Sequence, residues 1–215
     1  MPTLKEQTDA KFANTRKNNP EFAKQVDAIL ASAESFQSGE AALDVGQTAP
    51  SFQLPNPQGE RVALTDLLQN GPVVVTFYRG SWCPYCNLQL RAMQQRLADI
   101  HDLGAELVAI SPQVPDDSLS QDEQEGLEFP VLSDQDAQVA AEYGVAWNVP
   151  QLILEHMRND RNLELSEING GNGSVLPIPA TFVLNRDGVV VWRFVDVDYR
   201  NRAEPDDIVE ALRAL

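Results

Sequence analysis

Apolar and polar positions change period repeatedly along this chain from residue 71 onward. VVVTFY, residues 73–78, is a short unbroken run of β-branched and aromatic residues, the pattern of a strand buried on both faces. Over 84–103 the period becomes helical, with Leu88, Met93, Leu97 and Ile100 as the apolar stripe and Gly104 as the stop. ELVAIS at 106–111 predicts the next strand, followed by a helix over 119–126, a strand in FPVLS at 129–133 and a helix over 135–143. ATFVLN at 180–185 and VVVWRFV at 189–195 flank an Arg-Asp-Gly turn and read as a hairpin, since Asp-Gly between β-rich runs is a strong turn signal. EPDDIVEALRAL ends the chain as a helix with acidic residues in its first turn. Such alternation predicts an α/β protein, a central mixed β-sheet flanked by helices.

Two segments stand outside the alternation. Residues 3–38 are polar and Ala-rich, with Phe22, Val26, Ile29 and Leu30 at the spacing of an amphipathic helix. Having no core of its own, this arm is expected to pack on the main domain or on a second subunit, which leaves a homodimer open. A Pro- and Gly-punctuated stretch then predicts a small hairpin and puts the boundary near Asp44, giving an N-terminal helical arm at 1–43 and a domain at 44–215. Within that domain, 146–175 is an insertion, apolar at its start (WNVPQLILEHM) and Asn/Gly-rich at its end (NGGNGS), expected to form a helix and a flexible loop.

Charge narrows the list of partners. The 215 residues carry 32 Asp plus Glu against 16 Lys plus Arg, a net charge of -16 that repels phosphate backbones and anionic headgroups, so neither nucleic acid nor membrane is an expected partner. No stretch approaches the roughly 18 to 20 apolar residues of a membrane span. The N-terminus lacks the apolar core of a secretory signal, and a cytoplasmic location is expected, where thiols are kept reduced.

The two cysteines, Cys83 and Cys86, are too few for a disulfide scaffold, but they sit where a buried strand gives way to a helix, in Tyr78-Arg79-Gly80-Ser81-Trp82-Cys83-Pro84-Tyr85-Cys86-Asn87. Unpaired N–H groups at a helix N-terminus stabilise a thiolate and lower its pKa. The spacing puts the second sulfur about one turn from the first, within reach of a disulfide, and Pro84 stiffens the turn. A zinc site would need further ligands, and His101 and His156 lie at no recognised spacing from the pair, so no metal or other cofactor is expected. Two inert core cysteines are the other plain reading; both histidines read as surface or packing residues, and Tyr78 and Trp147 as core with the option of lining a pocket.

The strand, the WCPYC turn and the helix resemble the thioredoxin superfamily. VGQTAPSFQLP, PVVVTFYRGSWCPYC, LVAISPQ, FPVLSD and PATFVLNRDGVV, in that order, are similar to the alkyl hydroperoxide reductase/thiol-specific antioxidant (AhpC/TSA) branch, the peroxiredoxin-like redoxins. That resemblance implies a thioredoxin-like fold and two competing chemistries. In the peroxiredoxin pattern the attacking cysteine falls on Cys86, the threonine position on Cys83 and the proline position on Arg79. The distant arginine of that family is replaced by Pro179, so Arg79 would supply the guanidinium; Cys83 would condense with the Cys86 sulfenic acid, and a thioredoxin- or glutathione-type reductant would restore the pair. In the thioredoxin and glutaredoxin pattern, Trp82 and the Cys-Pro-Tyr-Cys turn make Cys83 the nucleophile toward a disulfide substrate and Cys86 the resolving thiol, with Pro179 resembling the cis-proline that faces the pair. Pro84 and Tyr85 complete the implied substrate-positioning set, and a redox-sensing interaction protein is the reading from a different class.

Overall fold

A computed structural model describes residues 2–33, 39–114 and 126–215. Its centre is a five-stranded mixed sheet built from β3 (Val73–Phe77), β4 (Glu106–Ser111), β5 (Val131–Ser133), β8 (Ala180–Leu184) and β9 (Val190–Val195) in the order β5-β4-β3-β8-β9. β3, β4 and β5 run parallel, whereas β8 is antiparallel to β3 and β9 to β8. Every residue of β3 and β8 is buried. These strands are covered on both faces, which is why their sequences are continuous apolar runs instead of alternating ones.

The pleat sends alternate residues to two separate cores. Val73, Val75 and Phe77 face one side with Val108, Ile110 and Phe182, where Phe77, Tyr143 and Phe182 pack ring to ring. Val74, Leu107, Ala109 and Val183 face the other, under α4 (Pro84–Gln95), α5 (Leu97–Asp102) and the C-terminal α9 (Pro205–Arg213). The expected 84–103 helix is thus two helices, with the chain leaving helical geometry at Arg96 (φ -109, ψ 7). Gly104 takes the left-handed conformation (φ 69) its stop role requires.

Before the sheet, β1 (Gln53–Pro55) and β2 (Arg61–Ala63) form the predicted antiparallel hairpin, and α3 (Leu64–Asn70) leads into β3. The predicted 119–126 helix falls almost wholly outside the described residues. The 135–143 stretch is a 3-10 turn at Gln135–Ala137 followed by α6 (Gln138–Glu142), whose first amides, Val139 and Ala140, donate to the buried Asp134 carboxylate.

Two expectations need correction. The 146–175 insertion has the expected helix, α7 (Gln151–Arg161), and its Asn/Gly-rich end at 169–174 is in neither helix nor strand, but it also holds β6 (Ala146–Asn148) and α8 (Leu165–Ile168), and β7 (Val175–Pro177) returns to pair antiparallel with β6. Trp147 on β6 and Leu176 on β7 are buried in the core, and that burial ties the ends together. The arm, read as one helical stripe, is a hairpin of α1 (Leu4–Asn18) and α2 (Pro20–Ala33). The break is at Asn19-Pro20, because proline cannot continue a helix but fits the first position of the next one. Thr3 and Glu6 close the start of α1 as a capping box.

Across this fold, the hairpin lies on the domain. Leu4, Ala23, Val26 and Leu30 are each at most 3% exposed. The N–H groups of Leu4 and Lys5 donate to the Glu204 carboxylate (3.2 and 2.5 Å), which places an anion at the α1 N-terminus. Asp27 on α2 accepts from Arg200 (2.6 Å) and Arg16 (2.8 Å). Among the described residues, no helix is long and apolar enough to cross a membrane.

Candidate active site

The end of β3 delivers the chain into a tight loop before α4. Tyr78 still belongs to the sheet, its N–H donating to the Ile110 carbonyl, and it is buried in the core, as Trp147 is; neither borders the cavity that Cys83 lines. Gly80 adopts φ 142, and a side chain there would meet the Trp82 indole nitrogen at 2.3 Å, so the loop demands glycine. Gln113, just past β4, accepts from both the Ser81 N–H (2.9 Å) and hydroxyl (3.0 Å), while the Asn87 amide donates to the Ser81 carbonyl (2.8 Å). Thus pinned from two sides, the loop sets Cys83 as the N-cap of α4, with Pro84 at its first position and the Cys83 carbonyl accepting from Asn87 N–H (3.1 Å).

The two sulfurs have different surroundings. Cys83 is 2% exposed and forms part of the wall of a cavity of about 330 Å³; Cys86, one turn into the helix, is fully buried and does not reach that cavity. Burial pushes the Cys83 thiol up, but a hydrogen bond from Cys86, the Arg79 and Arg202 guanidinium charges and the Cys86 N–H outweigh it and bring Cys83 down to about 5. Cys86 moves the opposite way, well above the ordinary thiol range, because burial, the hydrogen bond to Cys83 and the Cys83 charge all favour its protonated form against the opposing pull of Arg202 and the Arg79 N–H. A single thiolate, on Cys83, with Cys86 as its S–H donor, is the resulting state of the pair.

Arg79, four positions before Cys83, and Arg202, from near the C-terminal helix, meet at this pair. Arg79 is 3% exposed, its guanidinium lies 4.5 Å from the Tyr199 ring centre and 5.2 Å from that of Trp82, and its Nε has no hydrogen-bond partner among the described residues. Arg202 donates from Nη2 to Cys86 Sγ (3.4 Å) and from Nη1 to the Tyr199 and Asn201 carbonyls. Trp82 and Tyr85 border the cavity with Pro84, and Tyr85 packs edge-on against Tyr199 at 5.7 Å.

Of the residues singled out by sequence, Arg79, Trp82, Cys83, Pro84 and Tyr85 meet at the cavity, and Cys86 lies behind them. Pro179 does not border it. The Ile178-Pro179 bond is trans, because no described peptide bond is cis, and Pro179 is buried at the start of β8 with its carbonyl accepting from Asp196 N–H (3.2 Å). The likeness to the thioredoxin cis-proline is therefore not met at this bond; β8 pairs antiparallel with β9 from that point, with a register shift between Val183 and Leu184.

Other walls were not legible. Lys11, Phe12 and Thr15 on α1 and Phe22 and Val26 on α2 close one side; Ile153, His156, Met157 and Arg161 on α7 close another. His156, expected to be a packing residue, does pack, stacking on Phe22 at 3.6 Å, yet in doing so borders the cavity; its Nδ1 is 2.6 Å from Asp160. Only the helical spacing of Ile153, His156 and Met157 hinted at a shared face.

Comparison with known proteins agrees with this architecture. The sequence is 36% identical over 103 residues to the peroxiredoxin Bcp of Escherichia coli, a match spanning 48% of this chain and 65% of that protein, just under two thirds of its length. It is 23% identical over 172 residues to the thiol-disulfide oxidoreductase ResA of Bacillus thuringiensis, covering 80% of this chain and 81% of that one. The crystal structure of the peroxidoxin BcpB of Mycobacterium tuberculosis superposes with a TM-score of 0.62 at 24% identity, covering 80% of this chain and 98% of that chain, which gives the same fold. Residues 45–193 match the model of the AhpC/TSA family, and with the strand, dithiol turn and helix in the order described, this chain belongs to that family.

Proposed function

We propose that this protein is a thiol-dependent peroxidase, reducing hydroperoxides through a Cys83–Cys86 pair that cycles between dithiol and disulfide. The observation that carries the reading is the asymmetry of the pair: the thiolate, Cys83, borders the cavity, and the protonated Cys86 is sealed behind it. This polarity supports Cys83 as the attacking sulfur, the reverse of the assignment that the peroxiredoxin pattern alone implies. The Cys83 thiolate displaces RO⁻ from ROOH, which leaves as ROH after protonation, and becomes a sulfenic acid. Cys86 then attacks that sulfur, expelling water and forming the disulfide, and an external thiol donor returns two electrons. Arg79, which borders the cavity with Cys83 and whose Nε has no partner among the described residues, would hold the peroxide oxygens, and Trp82, Pro84 and Tyr85 would position the substrate. The division into arm 1–43 and redoxin domain 44–215 is part of this reading, with the arm as one wall of the substrate cavity. A cytoplasmic setting, where thiols are kept reduced, suits such a cycle.

A second reading, disulfide reduction by the Cys83 thiolate, is favoured by the similarity to the oxidoreductase ResA and by the same sulfur polarity. Against it stands the small cavity under the arm, which suits a small electrophile better than a protein disulfide. The test treats wild type, Cys86→Ala and Cys83→Ser with one equivalent of hydrogen peroxide or cumene hydroperoxide and follows peroxide loss and cysteine state by mass spectrometry. Expected are a disulfide in wild type and a trapped sulfenic acid on Cys83 in Cys86→Ala. Peroxide consumption by Cys83→Ser at the wild-type rate would overturn the assignment of Cys83, and no faster oxidation than that of a free thiol would overturn the peroxidase reading.

A further inference from the structure

We infer that the reductant of the oxidised pair is a small anionic thiol, carrying one or more carboxylates, and not a protein dithiol; the inference rests on the dithiol–disulfide cycle proposed above. Its basis is the contrast between the cavity and the chain around it. The protein has twice as many acidic as basic residues, yet among the described residues bordering the cavity there is no Asp or Glu, while Lys11, Arg79, Arg161, Arg200 and His156 all border it. Arg200 is already balanced by Asp27 and Asp198, and the His156 ring is hydrogen-bonded to Asp160. The other three are not balanced: Arg79 lies between aromatic rings, Arg161 donates to the Trp82 carbonyl (3.2 Å), and no described carboxylate pairs with Lys11. In the reduced protein the Cys83 thiolate offsets one of these charges. Disulfide formation removes that anion, so the cavity becomes more positive in the state that must attract a reductant.

Access makes the same choice. Cys83 is 2% exposed and is approached through a space of about 330 Å³, near the lower end of the roughly 300 to 1,000 Å³ of small-ligand sites. One wall is the arm, held by Glu204 at the start of α1, by the Asp27 pairs and by Phe22 on His156. A protein donor would have to displace that hairpin before its sulfur met Cys83, whereas a small thiol need not. The chemistry balances: one thiolate RS⁻ attacks Cys83 of the disulfide, forming RS–S–Cys83 and releasing Cys86, which takes up a proton. A second RS⁻ attacks the mixed disulfide, giving RSSR and the Cys83 thiolate.

The experiment oxidises full-length protein with one equivalent of hydrogen peroxide, verifies the disulfide by mass, and measures its reduction by 3-mercaptopropionate, 2-mercaptoethanol and cysteamine, each rate corrected for thiolate fraction, and by a thioredoxin. The expected order is anionic over neutral over cationic, with 3-mercaptopropionate about tenfold faster than cysteamine, the size of effect a focused surface potential gives. Lys11→Glu and Arg161→Glu, both on half-buried or exposed helix positions, should each lower that ratio severalfold and 0.5 M salt should compress it. A flat or inverted charge series, or faster reduction by thioredoxin than by the anionic thiol at equal concentration, overturns the inference while leaving the peroxidase reading intact. Failure of the disulfide to form overturns the peroxidase reading itself.

Discussion

Replacing Arg79 by methionine tests the electrostatics of the site most directly, because it removes a charge from a buried position while keeping apolar bulk between Trp82 and Tyr199. Arg79 is 3% exposed and no described carboxylate neutralises it, so little screening separates it from Cys83. An opposite charge close to a titrating group shifts its pKa by roughly 1–3 units, and about two is taken for Arg79. The Cys83 value of about 5 should therefore rise to about 7 in the variant. Since only the thiolate alkylates, the wild-type iodoacetamide rate at Cys83 should rise with pH through about 5 and be flat by pH 7, while the variant keeps rising to about pH 8. At pH 6 the thiolate fractions are then about nine-tenths and about one-tenth, a rate difference of about tenfold that closes above pH 8. Peptide mass spectrometry of pulse-alkylated protein across pH 4–10 reads both curves at the individual cysteine. Superposable profiles, or a wild-type midpoint near the ordinary thiol value, would refute the reasoning; lower alkylation at every pH by one constant factor would instead mean that Arg79 acts on access.

Three further outcomes follow from other parts of the structure. Gly80→Ala forces a side chain against the Trp82 indole at a left-handed position, and should cost on the order of 1–3 kcal/mol in urea unfolding and slow Cys83 alkylation, because the loop that sets the N-cap must shift. Glu204→Ala removes the acceptor of the first α1 amides, so stability should fall by about 1 kcal/mol and limited trypsin digestion should cut within residues 5–17 sooner than in wild type. Phe182→Ala opens a hole in the Phe77–Tyr143–Phe182 cluster and should cost roughly 3–5 kcal/mol, measured by the same unfolding midpoint, with the Cys83 alkylation profile unchanged below the transition.

Legibility in the sequence followed the range over which each signal acts. β3, β4 and β8 were readable because a strand buried on both faces must be apolar throughout, and the Asp-Gly turn fixed the β8–β9 hairpin locally. The three-residue pairing of β6 with β7 was not, since three residues carry no period and their partners lie almost thirty positions apart. Pro20, by contrast, carried a usable local signal for the arm's break: the apolar stripe Phe22-Val26-Ile29-Leu30 lies wholly after it, in α2, and the polar α1 carries no comparable stripe. At the site, Arg79 to Cys86 could be read together because they are contiguous. Tyr199, Arg200 and Arg202 could not: DVDYRNR has the composition of an exposed turn, and only folding buries Arg202 against Cys86.

That last contact bears on how the two sulfurs would divide their work. A resolving thiol has to be protonated while its partner waits for the electrophile, and ionised when it attacks. Cys86 satisfies the first demand through burial and through the adjacent Cys83 anion, which together hold its proton. Oxidation of Cys83 to a neutral sulfenic acid would remove both the anion and the hydrogen-bond acceptor, leaving the Arg202 guanidinium at 3.4 Å as the charge nearest Cys86 in the contacts described. The same residue that merely moderates Cys86 in the dithiol would then favour its thiolate, so that attack is enabled by the preceding chemical step. On this reading Arg79 serves the sulfur that meets substrate, while Arg202 lowers both thiols and matters most to the one that resolves; at pH 8, where Cys83 stays ionised without it, an Arg202→Met protein should form the Cys83 sulfenic acid at close to the wild-type rate but accumulate it before the disulfide appears. Rapid-quench trapping with dimedone distinguishes this from a general loss of reactivity, in which oxidation and disulfide formation would slow together.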